Sequence, residues 1–382
     1  MSRVLVISFS DLSRDSRLDR QIGFLCDRHD VVAAGLGRPA HEQAAFVDLT
    51  PPSEGRVLEL ARRTAGLARL AARRSDAVYW RHATNRAAYE RLRDVAFDVV
   101  VANDVSALPL AVRVAAGRPV VFDAHEYATA ELEHLRWWRL LIAPYIDALL
   151  RRYLPHVAAM STVGPTIADR YAAAYGIPRP EVVTNAPHRA ALTPSPIGAP
   201  IRMLHHGVAD AGRRLDTMMD VVDALDGAYT LDLMLVPTPS GELERLRARA
   251  ANSPHTTIVD PVPMREIVSH ANAYDVGLYL LPPSHLNQQL ALPNKLFEFI
   301  QARLAVAIGP SPEMAAVVRE HGCGVVAADF SPDALASALA ALAPADVARL
   351  KDRSHAAAKE LCAERNRELV LELIERASTT RG

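Results

Sequence analysis

Asn294, Lys295 and Glu298, within the stretch Leu292–Ile300, carry the clearest chemical signal in this sequence. Pro293 stops whatever precedes it and Asn294 is a favourable helix N-cap, so the segment Pro293–Gln301 is predicted to turn into a short helix. The first N–H groups of such a helix have no partner within it, and they attract anions. Lys295 and Leu296 lie among them, and Glu298 falls about one turn in, where a carboxylate can accept hydrogen bonds from a ribose diol. Phosphate at the helix start and sugar hydroxyls one turn later describe a pocket for a nucleotide-diphosphate sugar. Lysine is scarce in this arginine-rich chain, the others being Lys351 and Lys359, which makes Lys295 a weak additional pointer.

Composition narrows the class further. At 382 residues the chain exceeds one compact core and suits two domains. Half of it is hydrophobic and its formal net charge is −1, so a nucleic-acid partner is not indicated. No leader-like start and no apolar run of about 18 residues is present, which predicts a cytoplasmic protein without a spanning helix. Two features suit peripheral contact with the inner membrane face: the basic, leucine-bearing segment Glu54–Arg74 and the pair Trp137-Trp138. Cys26, Cys323 and Cys362 have no metal spacing, and the neighbours His205 and His206 point to opposite faces of a strand. No metal site is expected.

The elements that must position these residues alternate between strand and helix. Val4–Ile7, Val31–Ala34, Val99–Ala102, Val120–Phe122, Ala158–Val163 and Val182–Thr184 read as strands buried on both faces. Helices Ser16–Arg28, Ala107–Ala116, Leu135–Tyr153 and Thr166–Tyr175 lie between them, the first with Ser16 and Asp19 in a capping-box-like pattern. The alternation restarts after a proline-rich linker at 189–200. It gives strands Ile201–His205, Thr230–Val236, Thr257–Val259, Val276–Leu280, Ala305–Ile308 and Gly324–Ala327 with helices between, then helical sequence from Asp346 to Ala377. The predicted fold is α/β. It has two doubly wound parallel-sheet, Rossmann-like domains at 1–188 and 201–362 facing across a cleft, and a C-terminal helix at 363–382 packing back on the first.

In this order and spacing the chain resembles the GT-B glycosyltransferases, in particular the large retaining family, glycosyltransferase family 4-like, that includes sucrose synthase and phosphatidylinositol mannosyltransferases. The resemblance rests on Asp15-Ser16-Arg17-Leu18, Phe122-Asp123-Ala124-His125-Glu126, Val182-Val183-Thr184-Asn185-Ala186-Pro187, Pro293-Asn294-Lys295-Leu296-Phe297-Glu298 and His321-Gly322-Cys323-Gly324. It implies a transferase that moves a sugar from a nucleotide-diphosphate donor to a hydroxyl acceptor on a natural product, glycan or lipid. Retention, independence of metal and the lack of a permanently bound cofactor are implied with it.

The resemblance also assigns roles. His125 matches the histidine this family points at the transferred sugar, and Glu298 matches the glutamate on the ribose. Gly207, Arg213, Asn294, Lys295 and Leu296 would surround the donor diphosphate, with Arg213 and Lys295 neutralising it as it leaves. Pro261 and Val262, in the segment Asp260–Val262, would hold the base through backbone groups. Acceptor groups would come from the loops Ser8–Arg14 and Asp123–Tyr127. Two family positions differ: Leu290 stands where an earlier glutamate normally touches the sugar, and Val208 stands where an arginine follows the glycine. Backbone N–H groups at Ala291–Asn294, or the amides of Asn287 or Gln289, would have to replace that glutamate. Two rival readings stay open: an isomerase of the nucleotide-sugar 2-epimerase type, and a non-catalytic nucleotide-sugar binder.

Overall fold

The computed structural model describes residues 1–51 and 75–379, so the basic segment Glu54–Arg74 lies outside the described residues. The chain divides into two compact units. One contains Met1–Thr184, His285–Asn287 and Asn366–Gly382; the other contains Asn185–Ser284 and Gln288–Arg365.

The first unit is built on a seven-stranded parallel sheet in the order β3-β2-β1-β4-β5-β6-β7. Its strands are β1 (Arg3–Asp11), β2 (Asp30–Leu36), β3 (Ala45–Asp48), β4 (Val99–Asn103), β5 (Val120–Ala124), β6 (Ala159–Thr162) and β7 (Glu181–Val182). Val4, Leu5, Val6 and Ile7 of the central β1 are fully buried, as an unbroken apolar run covered by helices on both faces requires. The strand order reverses between β1 and β4, which defines the switch point where open α/β sheets hold ligands. Parallel register sets Asn103 beside Asp123, and Asp123 beside Ser161, at the carboxyl ends of β4, β5 and β6.

The helices depart from expectation in instructive ways. Helix Ser16–Cys26 is capped by Asp15, whose carboxylate accepts from the N–H groups of Arg17 and Leu18, rather than by Ser16. The long helix expected at Leu135–Tyr153 is interrupted. A π-helical turn covers Trp138–Ile142 and a regular helix follows at Ala143–Tyr153, where Pro144 brings no backbone N–H. Strand β3 and helices Ser75–Arg81 and Ala83–Leu92 were not anticipated, because their apolar residues are too sparse to show a period. From Asn366 onward, helix Ala363–Thr379 belongs to the first unit, held there through Arg367–Asp27 at 2.7 Å, Asn366 Nδ2–Thr184 O at 2.8 Å and Arg376–Glu181 at 2.9 Å.

The second unit repeats the plan with six parallel strands in the order β10-β9-β8-β11-β12-β13. These are β8 (Ile201–Val208), β9 (Tyr229–Val236), β10 (Thr256–Val259), β11 (Val276–Tyr279), β12 (Ala305–Ile308) and β13 (Gly324–Val326). Its switch point falls between β8 and β11. Helix Asn294–Gln301 lies flush on β11: a Cβ at Gly277 would come within 2.2 Å of the Phe299 ring, so only glycine permits this approach. Leu296, Phe297, Phe299 and Ile300 fix the helix in the core, each side chain contributing roughly 1.5–3 kcal/mol. Lys351 is also structural. It is 1% exposed and binds Asp275 at 3.2 Å, Tyr274 O at 2.9 Å and Ser195 Oγ at 2.9 Å, so lysine scarcity alone does not mark function in this chain.

Candidate functional site

In the second unit the sequence-predicted residues gather at the carboxyl ends of β8 and β11. Gly207, near the end of β8, has φ +147°, and a Cβ there would stand 2.8 Å from Lys295 Cε and 2.9 Å from Nζ. The absent side chain is therefore the space into which the lysine ammonium reaches. Lys295 Nζ also lies 6.0 Å from the centre of the Tyr279 ring, at the outer range of a cation–π contact. No carboxylate lies within ion-pair distance of Nζ among the described residues. Burial first, then repulsion by Arg213, lowers the Lys295 pKa from 10.5 to about 8 against the opposing pull of Glu298. Arg213 ends a short 3-10 turn at Ala211–Arg213 and is half-buried; Arg214 turns into the left-handed region and is exposed.

Two histidines line the same place without carrying charge. His205 is buried, with Nδ1 2.8 Å from Leu278 O, and burial followed by the Lys295 charge lowers its pKa well below the ordinary value. His206 is lowered to about 3 by the same two causes in the same order, and its Nε2 lies 3.3 Å from Glu298 Oε2. A surplus of positive charge, a glycine that opens space and one buried glutamate thus meet at one switch point. That arrangement suits an anionic group with polar hydroxyls attached.

Not every expected residue joins it. Asn294 is the first residue of the helix rather than its cap, since the chain is still extended at Pro293. Leu296 is 2% exposed and its N–H is 3.1 Å from Pro293 O, so neither side chain nor N–H is offered to a ligand. Pro261 is exposed beyond β10, whereas Val262 packs on the core. The amide of Asn287 is already used within the first unit. It accepts from Tyr127 N at 3.0 Å and donates to Glu126 Oε2 at 3.1 Å and to Tyr127 O at 3.2 Å, so it is not free to replace the glutamate missing at Leu290.

In the first unit His125 follows β5 and belongs to a buried polar network. Arg17 grips Asp123 through Nε at 2.9 Å and Nη2 at 2.6 Å, and its Nη1 donates to Val183 O at 2.8 Å. Asp123 also accepts from Ser161 Oγ at 2.7 Å and Gln21 Nε2 at 3.2 Å, while Asn103 donates to Gln21 Oε1 at 2.9 Å. His125 Nε2 lies 3.2 Å from Asn103 Oδ1 and 3.4 Å from Asp123 Oδ2; its Nδ1 lies 3.1 Å from Asp104 Oδ2. Burial acts to lower the His125 pKa, but the Asp104 and Asp123 carboxylates outweigh it and raise the value to about 9. Asp123 is held far below the carboxylate range: burial opposes this, and the Arg17 and His125 contacts overcome it. Glu126 moves the other way, to about 8, through burial and then the nearby Glu131 and Asp104 charges. Reading the sequence flagged Arg17 only as part of a motif and missed Gln21, Asn103 and Asp104. Their available signal was a polar residue placed directly after a buried strand or on the inner face of the first helix.

Comparison with known proteins bears on the fold. Residues 26–186 match the family model described as Glycosyltransferase Family 4. HepE from Anabaena, solved in complex with UDP-glucose, is similar over 98% of this chain and 100% of its own, with a TM-score of 0.71 and 12% identity. Sucrose-phosphate synthase from Thermosynechococcus elongatus is similar over 98% of this chain and 99% of its own, with a TM-score of 0.70 and 12% identity. The α,α-trehalose 6-phosphate synthase from Burkholderia multivorans is similar over 100% of both chains, with a TM-score of 0.68 and 12% identity. No curated protein sequence matches the chain. The class is thereby defined: the chain has the GT-B glycosyltransferase fold. The family-model match at residues 26–186 falls almost wholly within the first unit.

Proposed function

We propose that this GT-B glycosyltransferase moves a sugar from a nucleoside-diphosphate donor to a hydroxyl acceptor, with retention and without a metal ion. The observation that carries the reading is the Lys295 ammonium lying over Gly207, with Arg213 close enough to repel it and Glu298 one turn along the helix. A diphosphate seated there would meet two cations, and its growing negative charge as the glycosidic bond breaks would be stabilised most in the transition state. Glu298 would accept from the ribose hydroxyls. The two cations offer the charge that a metal ion would otherwise supply to a leaving diphosphate. HepE has been solved with UDP and with UDP-glucose, which makes uridine nucleotides the first probes to try.

Thermal shift with UDP, GDP, dTDP and ADP, followed by product analysis with their sugars, tests the reading. A new glycoside with the donor's anomeric configuration, formed in the presence of EDTA, is the expected result. Isomerised sugar without any acceptor would favour the epimerase alternative, and saturable binding without turnover would favour a silent binder. The acceptor side also suggests membrane contact. Trp137 is 51% and Leu140 is 73% exposed, with Arg136 and Arg139 exposed beside them, a mixture suited to an anionic bilayer surface. No described helix is long and apolar enough to cross a membrane. Sedimentation with phosphatidylglycerol vesicles at low salt should carry the protein down, and failure to do so rejects this contact.

A further inference from the structure

His125 has no N–H left to offer. Its Nδ1 faces Asp104 at 3.1 Å, and its Nε2 faces Asn103 and Asp123 at 3.2 and 3.4 Å. Asn103 and Asp123 are 0% and 1% exposed, so that side of the ring is sealed. The remaining partner differs: the Asp104 side chain is 43% exposed. One of its oxygens takes the His125 backbone N–H at 3.0 Å and the other faces the ring, so each oxygen keeps a lone pair for a further donor.

The backbone at Asp104 points the same way. It is the first residue of helix Asp104–Ala115, directly after β4, and its φ is +63°, a left-handed conformation that aspartate tolerates better than most residues. Nothing in the cap of that helix explains it, for Asn103 makes no side-chain capping bond and is committed to Gln21 and His125. The strained residue stands at the switch point between β1 and β4, where ligands sit in such sheets.

We infer that Asp104 is the residue that meets the attacking hydroxyl of the acceptor, accepting its hydrogen bond, and that His125 is the clamp that aims the Asp104 carboxylate. This rests on the transferase reading above and reverses the division of labour that the resemblance implies. The chain Arg17–Asp123–His125–Asp104 then has one purpose along its length: each group holds the next, and exposure rises to 20% at His125 and 43% at Asp104.

Asp104→Asn keeps the shape and tolerates the left-handed backbone, and Asp104→Gly removes both carboxylate and strain. Both are assayed with UDP-glucose as donor and glycerol as a generic acceptor, alongside UDP thermal shift and an NMR titration of His125. The expected result is a roughly 10²-fold loss of transfer in both variants, as for a reacting group left unplaced. The UDP shift should stay intact, and the His125 titration should move to lower pH. Unchanged transfer to glycerol in Asp104→Asn overturns the role of Asp104 alone. Equal loss of UDP binding and transfer makes Asp104 merely structural and overturns it too. A wild-type protein that neither binds UDP nor consumes UDP-glucose rejects the transferase reading, and this role goes with it.

Discussion

Lys295→Met should make the empty protein more stable while crippling its chemistry, and the two effects can be measured on one sample. Methionine fills nearly the volume of the lysine stem beside Gly207 and Tyr279 but brings no charge. In the unoccupied protein that charge is unfavourable, because its pKa falls from 10.5 to about 8 through burial and the Arg213 charge, equivalent to about 3 kcal/mol at most. Lys295 as a whole residue is half-buried, which we take to leave about half of that, near 1.5 kcal/mol. For a domain of this size the gain corresponds to about 3–6 °C in Tm. The unfolded chain keeps the lysine proton up to 10.5 and the folded chain only to about 8, so the stability of wild type relative to the variant should rise with pH across that window. With nucleotide present the order reverses. At 100 times its dissociation constant UDP should add about 2.7 kcal/mol to wild type and much less to the variant, and turnover should fall roughly 10²–10³-fold. Differential scanning calorimetry at pH 7 and pH 10, with and without UDP, reads all of this. A variant that melts below wild type when empty, or that keeps its nucleotide shift and turnover, refutes the reasoning.

Other consequences follow from the two polar centres. Arg17→Met strands the Asp123 carboxylate in the core, and although Gln21, Ser161 and His125 remain, urea unfolding should show a loss of about 3 kcal/mol; a loss under 1 kcal/mol contradicts the network as described. His125 is raised from 6.5 to about 9, so its contribution, up to about 3 kcal/mol, is complete below pH 6.5 and disappears as pH climbs through 9. Urea midpoints of wild type should therefore fall between pH 6.5 and 8, below the window in which Lys295 acts in the opposite sense, and His125→Asn should flatten that fall. Glu298→Gln should reduce the preference for UDP over 2′-deoxy-UDP by about tenfold, the worth of one charge-assisted hydrogen bond, with isothermal calorimetry as the measure. An unaltered preference takes the ribose away from this residue.

Much of the architecture was legible because parallel strands buried on both faces must be continuous apolar runs. Val4–Ile7 and Ala305–Ile308 therefore announce themselves, and their alternation with helices leaves few topologies. The edge strand β3 and helices Ser75–Arg81 and Ala83–Leu92 were hidden, since lightly buried elements need no such pattern. In the second unit, Gly207, Lys295 and Glu298 could be named from local motif and spacing. That Leu296 turns inward depends on which face of a short helix meets β11, and the packing of Phe299 against Gly277 decides it.

By itself the sequence determined the fold class, the doubling of the sheet and the short helix bearing Lys295 and Glu298. Each of these follows from local periodicity, turn chemistry and residue type. Only the tertiary structure decided that Arg17, Gln21, Asn103, Asp104 and Asp123 converge on one histidine, and that Asn287 is spent on Tyr127 and Glu126. Those partners come from separate strands and helices. Their meeting is set by strand register and helix packing over long chain separations, and no short-range pattern records it.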